Sequence, residues 1–468
     1  MRKTLVGPRL RALRRERKQT QAEMAQALGV SAAYVNLLEN NQRSLSVQML
    51  MALTETYNVD WRDLVKDDAA TQLTDLRHAM QDPVFDDGAP DLTEMRAALD
   101  HAPKLVGRFL QLHQSHRATL EKVMRMGSDG GLPDLVATSP ETIIHDFFRN
   151  HRNHFDELEC AAEAVRAAMP GGPDDIYSDL KDRLSRQHGI TVTLERIHDM
   201  PDSLRVYDEE GKRLRLSEAL DHPNRIFQLA HVLGLVEFPE IFDSLTAGAG
   251  LSEKSGLARC RVELANYFAA AVLMPYEPIL ELAERTRYDV DRIAAAFSVA
   301  FEQVCHRLTT LQRDGAKGVP FFFMRIDKAG NVTKRFNSTS FHLAEYGGAC
   351  PVWNIHNTFT SPGVILPQFV ELPDGEQFFT ISRTTDRPVF SRDTQERRLA
   401  VALGCELSHA ERIGYATPYR LSDTKLFWKI GINCQMCPRQ SCSQRAHQPL
   451  HMDLPLDTNR RGNTRYES

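Results

Sequence analysis

Between Thr20 and Arg43 apolar residues recur at helical spacing. Met24, Ala25, Leu28, Val30, Val35 and Leu38 form one inward stripe when wound at about 3.6 residues per turn. A helix over about 21–28, a turn at Gly29 and a second helix capped by Ser31 are predicted, since a serine oxygen can accept from the N–H two or three residues on. Gln21, Tyr34, Asn36, Asn40 and Arg43 fall outside the stripe. In a helix-turn-helix those positions stand where base edges or phosphates lie. Flanking helices are expected over 7–18 and 46–57, with a short one after Asp60.

Further along, DPVFDDGAPD at 82–91 reads as a linker, rich in Asp, Pro and Gly. Residues 91–126 read as helix, interrupted near Pro103. Leu105, Phe109, Leu112, Leu120 and Val123 lie near one face of it, a seam for a second copy, because helix-turn-helix proteins commonly bind paired half-sites. A homodimer or higher homo-oligomer is therefore expected. After a loop at 127–140, helices are predicted over 141–169 and 176–188, a strand at 190–197 and a hairpin at 203–217 turning at Glu209-Glu210-Gly211. Helices follow over 224–236, 260–274 and 289–312. The period then falls to two, with strands in VPFFFMRID, VTKRFN, 365–371 and 377–382.

Charge sharpens the picture. Residues 1–66 hold eleven Lys or Arg against six Asp or Glu, a balance of +5, so the remainder of this net −5 chain carries −10. A basic end on an acidic body suits binding of double-stranded promoter DNA by one module. Arg9, Arg11, Arg14, Arg15, Arg17 and Lys18 supply much of that charge. No apolar run approaches the ~20 residues needed to cross a bilayer. No apolar stretch follows Met1-Arg2-Lys3, so a cytoplasmic protein without membrane contact is expected.

Thr20-Gln21, Ala25, Gly29-Val30-Ser31, Glu39-Asn40-Asn41 and Arg43 together resemble the repressor-type (XRE) helix-turn-helix family over roughly residues 5–64. The resemblance implies that Gln21 and Arg43 meet phosphates and that Ser31, Ala32, Tyr34 and Asn36 enter the major groove. The helices carrying NRIFQLAHVLGLV and CRVELANYFAAAVLM resemble the ImmA/IrrE-type zinc metallopeptidases. That family carries His-Glu-x-x-His on the first helix. Here His231 keeps the first ligand place and Glu263 the third, but Val232 replaces the base and Leu235 the second histidine. Two ligands do not make a stable zinc site, and Val232 cannot activate water. No enzyme activity is expected, although a metallopeptidase acting on a partner repressor is the rival reading. The cleft is left as a ligand pocket, to which Arg225, His231, Arg261, Glu263 and Asn266 are assigned.

Three of the eight cysteines, Cys434, Cys437 and Cys442, sit within nine residues. Such clustering points to a metal. Cys405 is the first choice as fourth ligand, with Cys350 and His409 as alternatives. Structural zinc also suits such a set. GINCQMCPRQSCSQRA, with LGCELSHA, FFFMRIDKAGN and GGACPVWN before it, resembles the short-chain fatty acyl transcriptional regulator family, in the same domain order along nearly the whole chain. That resemblance implies regulation of propionate-type acyl-CoA metabolism, an acyl-CoA effector and a [4Fe-4S] cluster. A regulator that senses redox or iron alone is the other rival.

The expected fold class is multidomain, mainly α with α+β. It comprises a five-helix helix-turn-helix domain at 1–68, a helical dimerisation segment at 69–140 and a degenerate zinc-peptidase-like domain at 141–314. An α/β, GAF-like sensor domain at 315–420 and a Cys-cluster tail at 421–468 complete it.

Overall fold

The computed structural model describes residues 10–454 except 12, 15, 16, 18, 40–42, 44–46, 58–67, 81, 83, 84, 86–89, 130–139, 173, 174, 252, 342–347, 387–397, 450, 451 and 453. The expected short helix after Asp60, and Asn40, lie outside the described residues. The chain divides into two compact units, 1–117 and 118–468.

In the first unit, α1 (Gln21–Ala27), α2 (Ala32–Glu39) and α3 (Val47–Tyr57) share a core with Leu10 and Leu13. Met24, Val35, Leu38 and Leu53 lie at its centre. Thr20 and Glu23 cap α1 reciprocally. Gly29 takes φ +67°, the left-handed geometry that glycine adopts without a Cβ penalty. The next helices are α4 (Asp68–Met80), α5 (Leu92–His101) and α6 (Pro103–Asp129). Leu76, Met95, Leu99 and Val106 form a separate small cluster among them.

The second unit opens with α7 (Pro140–Asn150), α8 (Asp156–Ala167) and α9 (Ile176–His188). One long helix was expected over 141–169. Instead Arg152 and Asn153 both take φ +53° and break it, with Asn153 buried at the corner. A three-stranded sheet of β1 (Thr191–Glu195), β2 (Arg205–Asp208) and β3 (Arg213–Ser217) follows in the order β1-β3-β2. Against it pack α10 (His222–Glu237), α11 (Pro239–Ala247), α12 (Lys254–Leu273) and α13 (Tyr276–Thr286). The predicted 289–312 helix is two, α14 (Val290–Phe297) and α15 (Phe301–Leu308), separated at Ser298 (φ +53°).

Strands β4 (Phe322–Ile326), β5 (Val332–Asn337), β6 (Leu366–Glu371), β7 (Gln377–Asp386), β8 (Arg398–Glu406) and β9 (Phe427–Lys429) form one sheet, ordered β5-β4-β8-β7-β6-β9. The strand period of two makes this sheet a wall. Phe323, Phe369, Phe379, Val401 and Leu403 face the helical body. Phe322, Met324, Val370, Phe378, Ala400 and Ala402 face a second core with Trp353 and Cys350. The division expected at 314/315 is therefore not a break in packing, because one apolar core runs through both segments. Among the described residues no helix is long and apolar enough to cross a membrane.

Candidate functional sites

The helix-turn-helix is organised by a buried acid. Glu39, at the end of α2, is 3% exposed. It accepts from Arg14 Nε at 2.6 Å and Nη2 at 3.1 Å, and from Gln21 Nε2 at 2.7 Å. Arg11 Nε stands 3.6 Å away. Burial pushes the Glu39 pKa up, but hydrogen bonds from Arg14 and Gln21 and the charges of Arg14 and Arg11 outweigh it, so it lies below the usual value. Arg11 and Arg14, counted above in the basic charge of this module, thus bind Glu39 within the fold. Gln21 is likewise shared between Glu39 and, at 3.4 Å, Asn36 Oδ1. Ser31 Oγ accepts from Tyr34 N at 3.2 Å, as a cap should. Ser31, Ala32, Asn36 and Arg43 are exposed, and Tyr34 is half-buried beneath the Arg43 guanidinium, 5.7 Å from its ring centre.

Replacing Glu39 by alanine leaves two arginines facing an emptied site. It should cost this module about 3–5 kcal/mol and lower the first calorimetric transition of the full chain. The wild-type contribution is complete above the ordinary glutamate value and is lost as pH falls through the depressed folded one.

In the peptidase-like half, His231 is 2% exposed. Its Nδ1 lies 3.0 Å from Asn266 Oδ1. An amide oxygen only accepts, so Nδ1 carries the proton and Nε2 presents its lone pair. That Nε2 is buried without a partner. Burial, then the Arg205 charge, hold the His231 pKa down to about 3. Glu263 is neutralised by Lys334 of β5, 3.0 Å away, and meets Asn266 Nδ2 at 3.4 Å. Val232 is buried. One imidazole and one lysine-paired carboxylate do not fit a zinc ion.

Two of the assigned pocket arginines are engaged elsewhere. Arg225 Nη2 donates to the Glu218 carbonyl at 3.0 Å. Arg261 pairs with Asp243 of α11. It shares the α12 face of Phe268, seven residues on, opposite Glu263 and Asn266, and so does not face this cleft. Reading the sequence missed Arg205, Lys334 and His306. His306 is buried with a bare Nε2 and packs 4.4 Å from the Phe336 ring.

Beyond the large sheet, Cys350, Cys434, Cys437 and Cys442 line one cavity with Lys429, Gly431, Arg439 and Arg445. Cys405 does not. It lies on the helical face of β8, alternating in phase with Val401 and Leu403, fully buried in the larger core, where burial raises its pKa. Strand parity thus keeps Cys405 out of the cavity that Cys350 shares with the three clustered cysteines. His409, in the turn after β8, does not line the cavity either. The Gly431 N–H donates to Cys350 Sγ at 3.4 Å. Burial pushes the Cys350 thiol up to about 11 against that bond and one from Val352 N–H. A Cβ on Gly431 would stand 2.7 Å from Cys437 Sγ, so only glycine permits this approach.

Arg445 is 5% exposed. It donates to the carbonyls of Cys434 (3.1 Å), Cys437 (3.5 Å) and Arg439, while its Nε is buried without a partner. Among the described residues no carboxylate pairs with Arg439 or Arg445. Lys429, Arg439 and Arg445 bring three cations to the wall of this four-cysteine cavity. Among the described residues no three of these sulphurs lie mutually within 4.8 Å.

Sequence comparison agrees with this layout. A helix-turn-helix family profile matches residues 10–64, an IrrE N-terminal-like domain 185–309, and a short-chain fatty acyl coenzyme A regulator C-terminal domain 310–466. The chain is 39% identical to a propionyl-CoA carboxylase regulator of Cereibacter sphaeroides, covering 99% of both. It is 35% identical to the HTH-type transcriptional regulator PrpR of Mycobacterium tuberculosis, covering 100% of this chain and 96% of PrpR. RamB of the same organism is 36% identical over 98% of each. A solved Mycobacterium tuberculosis transcriptional regulator superposes with a TM-score of 0.67 at 36% identity, covering 71% of this chain and 100% of that one.

Proposed function

Because this chain belongs to the family of short-chain fatty acyl coenzyme A regulators, we propose that it is a DNA-binding transcriptional regulator of propionate-type metabolism with two control sites. A short-chain acyl-CoA binds the former peptidase cleft. Cys350, Cys434, Cys437 and Cys442 hold an iron–sulfur cluster. The observation that carries the first site is the buried, unpartnered Nε2 of His231 in a cleft whose metal set is gone. The four-thiol cavity with its orphaned Arg445 donor carries the second.

Effector control requires different affinities for the two DNA-binding states. Glu263 of the former peptidase cleft pairs with Lys334 of β5, and Cys350 packs in the outer core of the same sheet. A dimer is the working form. Leu105 and Leu112, seven residues apart on α6, are 70% and 69% exposed, a seam that a second copy of the helix would cover. Anaerobic purification with iron and sulfide assays, followed by thermal shift with propionyl-CoA, tests both sites. Absence of iron together with absence of a shift would contradict the proposal.

Within the DNA module, Tyr34 and Asn36 carry direct readout and Arg43 a phosphate contact, since Ala32 and Ala33 leave few long side chains on α2. Asn36→Ala should weaken operator binding by about 1–3 kcal/mol while changing non-specific binding less. Fluorescence anisotropy on both DNAs measures this. Equal losses would place Asn36 outside base readout.

A further inference from the structure

One arginine holds the three clustered cysteines. Arg445 is buried, and among the described residues its guanidinium donates only to main-chain carbonyls. Nη1 reaches the carbonyl of Cys434 at 3.1 Å and that of His447 at 3.4 Å. Nη2 reaches the carbonyls of Cys437, at 3.5 Å, and Arg439. The Arg445 backbone N–H supplies a third link, to the Cys442 carbonyl at 3.2 Å. A single residue thus touches the peptide groups of all three cysteines. Arg439 does a different job. Its Nε donates to the Ile430 carbonyl at 3.1 Å and its Nη2 to the Glu371 carbonyl at 2.8 Å, which fastens the segment to the end of β6.

Carbonyl dipoles solvate a guanidinium but do not cancel its charge, and a buried cation without a counter-charge is costly. Arg445 also keeps a buried Nε with no partner, and it lines the cavity that Cys350, Cys434, Cys437 and Cys442 share. A water in that cavity satisfies an N–H but not the charge. An anionic acceptor satisfies both. Four thiolates more than cancel the charge of a [4Fe-4S] core, so such a centre is anionic and its sulphurs accept hydrogen bonds.

We infer that Arg445 is the positioning residue and counter-cation of the cysteine centre. It fixes the main chain of Cys434, Cys437 and Cys442, and its charge raises the reduction potential of the cluster they hold with Cys350. The inference rests on the four-cysteine cavity being the cluster site. A fixed positive charge favours the reduced form, which carries one more electron, so loss of that charge lowers the potential.

Full-length wild type, Arg445→Gln and Arg445→Lys, reconstituted anaerobically with iron and sulfide, test this by potentiometric titration and by iron release to a chelator. Glutamine lacks the charge, whereas lysine keeps it without the fork. Arg445→Gln should lower the reduced-to-oxidised ratio at a fixed potential on the order of tenfold, a shift of about 59 mV for one electron. Both variants should release iron on the order of tenfold faster, having lost hydrogen bonds from a charged donor. Arg445→Lys should keep its potential near that of wild type. A merely structural anchor would speed release in both variants and leave both potentials unmoved, which overturns the counter-cation role. Release at the wild-type rate in both overturns the positioning role. If Arg445→Gln takes up no cluster, Arg445→Lys carries the test: faster release at a near wild-type potential supports the inference, and unchanged release overturns it. If the wild type takes up no iron and sulfide, the cluster reading itself fails, and the predicted potential with it. Cobalt(II) titration of the metal-free chain then reads the positioning role alone: weaker thiolate-to-cobalt absorption in Arg445→Gln keeps it, and equal absorption sinks it.

Discussion

Cys350→Ser should abolish incorporation of the iron–sulfur cluster, whereas Cys405→Ala should leave iron and sulfide content unchanged. The contrast follows from the two faces of one sheet. Cys350 faces the cavity of Cys434, Cys437 and Cys442 and receives the Gly431 N–H. Cys405 points the other way, into the core of the helical body. With three thiolates the cavity keeps Lys429, Arg439 and Arg445 but loses a ligand that already sits against its wall. Anaerobic iron and sulfide determination with visible absorption reads the result. Loss of the cluster in Cys405→Ala with retention in Cys350→Ser would reverse the assignment.

Removing Arg307 should be the most destabilising single change in the second unit, at about 3–5 kcal/mol. Its guanidinium is 0% exposed and grips Glu159 of α8 through Nη1 at 2.5 Å and Nη2 at 2.9 Å. Nε donates to the Met274 carbonyl at 2.9 Å. Tyr267 of α12 also donates to Glu159, at 2.5 Å. The pair thus ties α8, α12 and α15 together around the cleft. Burial raises the Glu159 pKa, but the charge and hydrogen bonds of Arg307 and the Tyr267 bond bring it below the ordinary value. Its stabilisation is therefore complete above the unfolded glutamate value and lost as pH falls through the folded one. Arg307→Met leaves Glu159 buried and unpaired. Adding Glu159→Leu removes that charge and should recover part of the loss. Denaturant unfolding of the two single variants and the double separates the terms. Additive losses would show that the pair is not coupled.

Much of this was written in local pattern. The Met24–Leu38 stripe, Gly29 and Ser31 gave the helix-turn-helix, and the missing base and second histidine gave the lapsed peptidase site. Tertiary pairing was not written there. The run LAVALGCE does not alternate in polarity, because both faces of β8 are buried, so a period of two does not mark it as a strand. Without that strand, the parity that excludes Cys405 was invisible. Arg205 reads in sequence like any surface arginine in a hairpin, and only the inner-face register with Leu216 shows it half-buried. Likewise, the basic count before α1 does not reveal that Arg11 and Arg14 are held by Glu39. The breaks at Arg152 and Ser298 carry no Gly or Pro signal, so helical periodicity alone predicts unbroken helices over 141–169 and 289–312.

The account as a whole stands on small-ligand control of the DNA module. Operator affinity of the anaerobically purified chain, measured with and without propionyl-CoA and with the cluster intact or oxidised, addresses it most directly. The account predicts that propionyl-CoA alone shifts operator affinity by about 5–150-fold in the cluster-intact protein. An affinity that responds to oxidation but is indifferent to propionyl-CoA would contradict it.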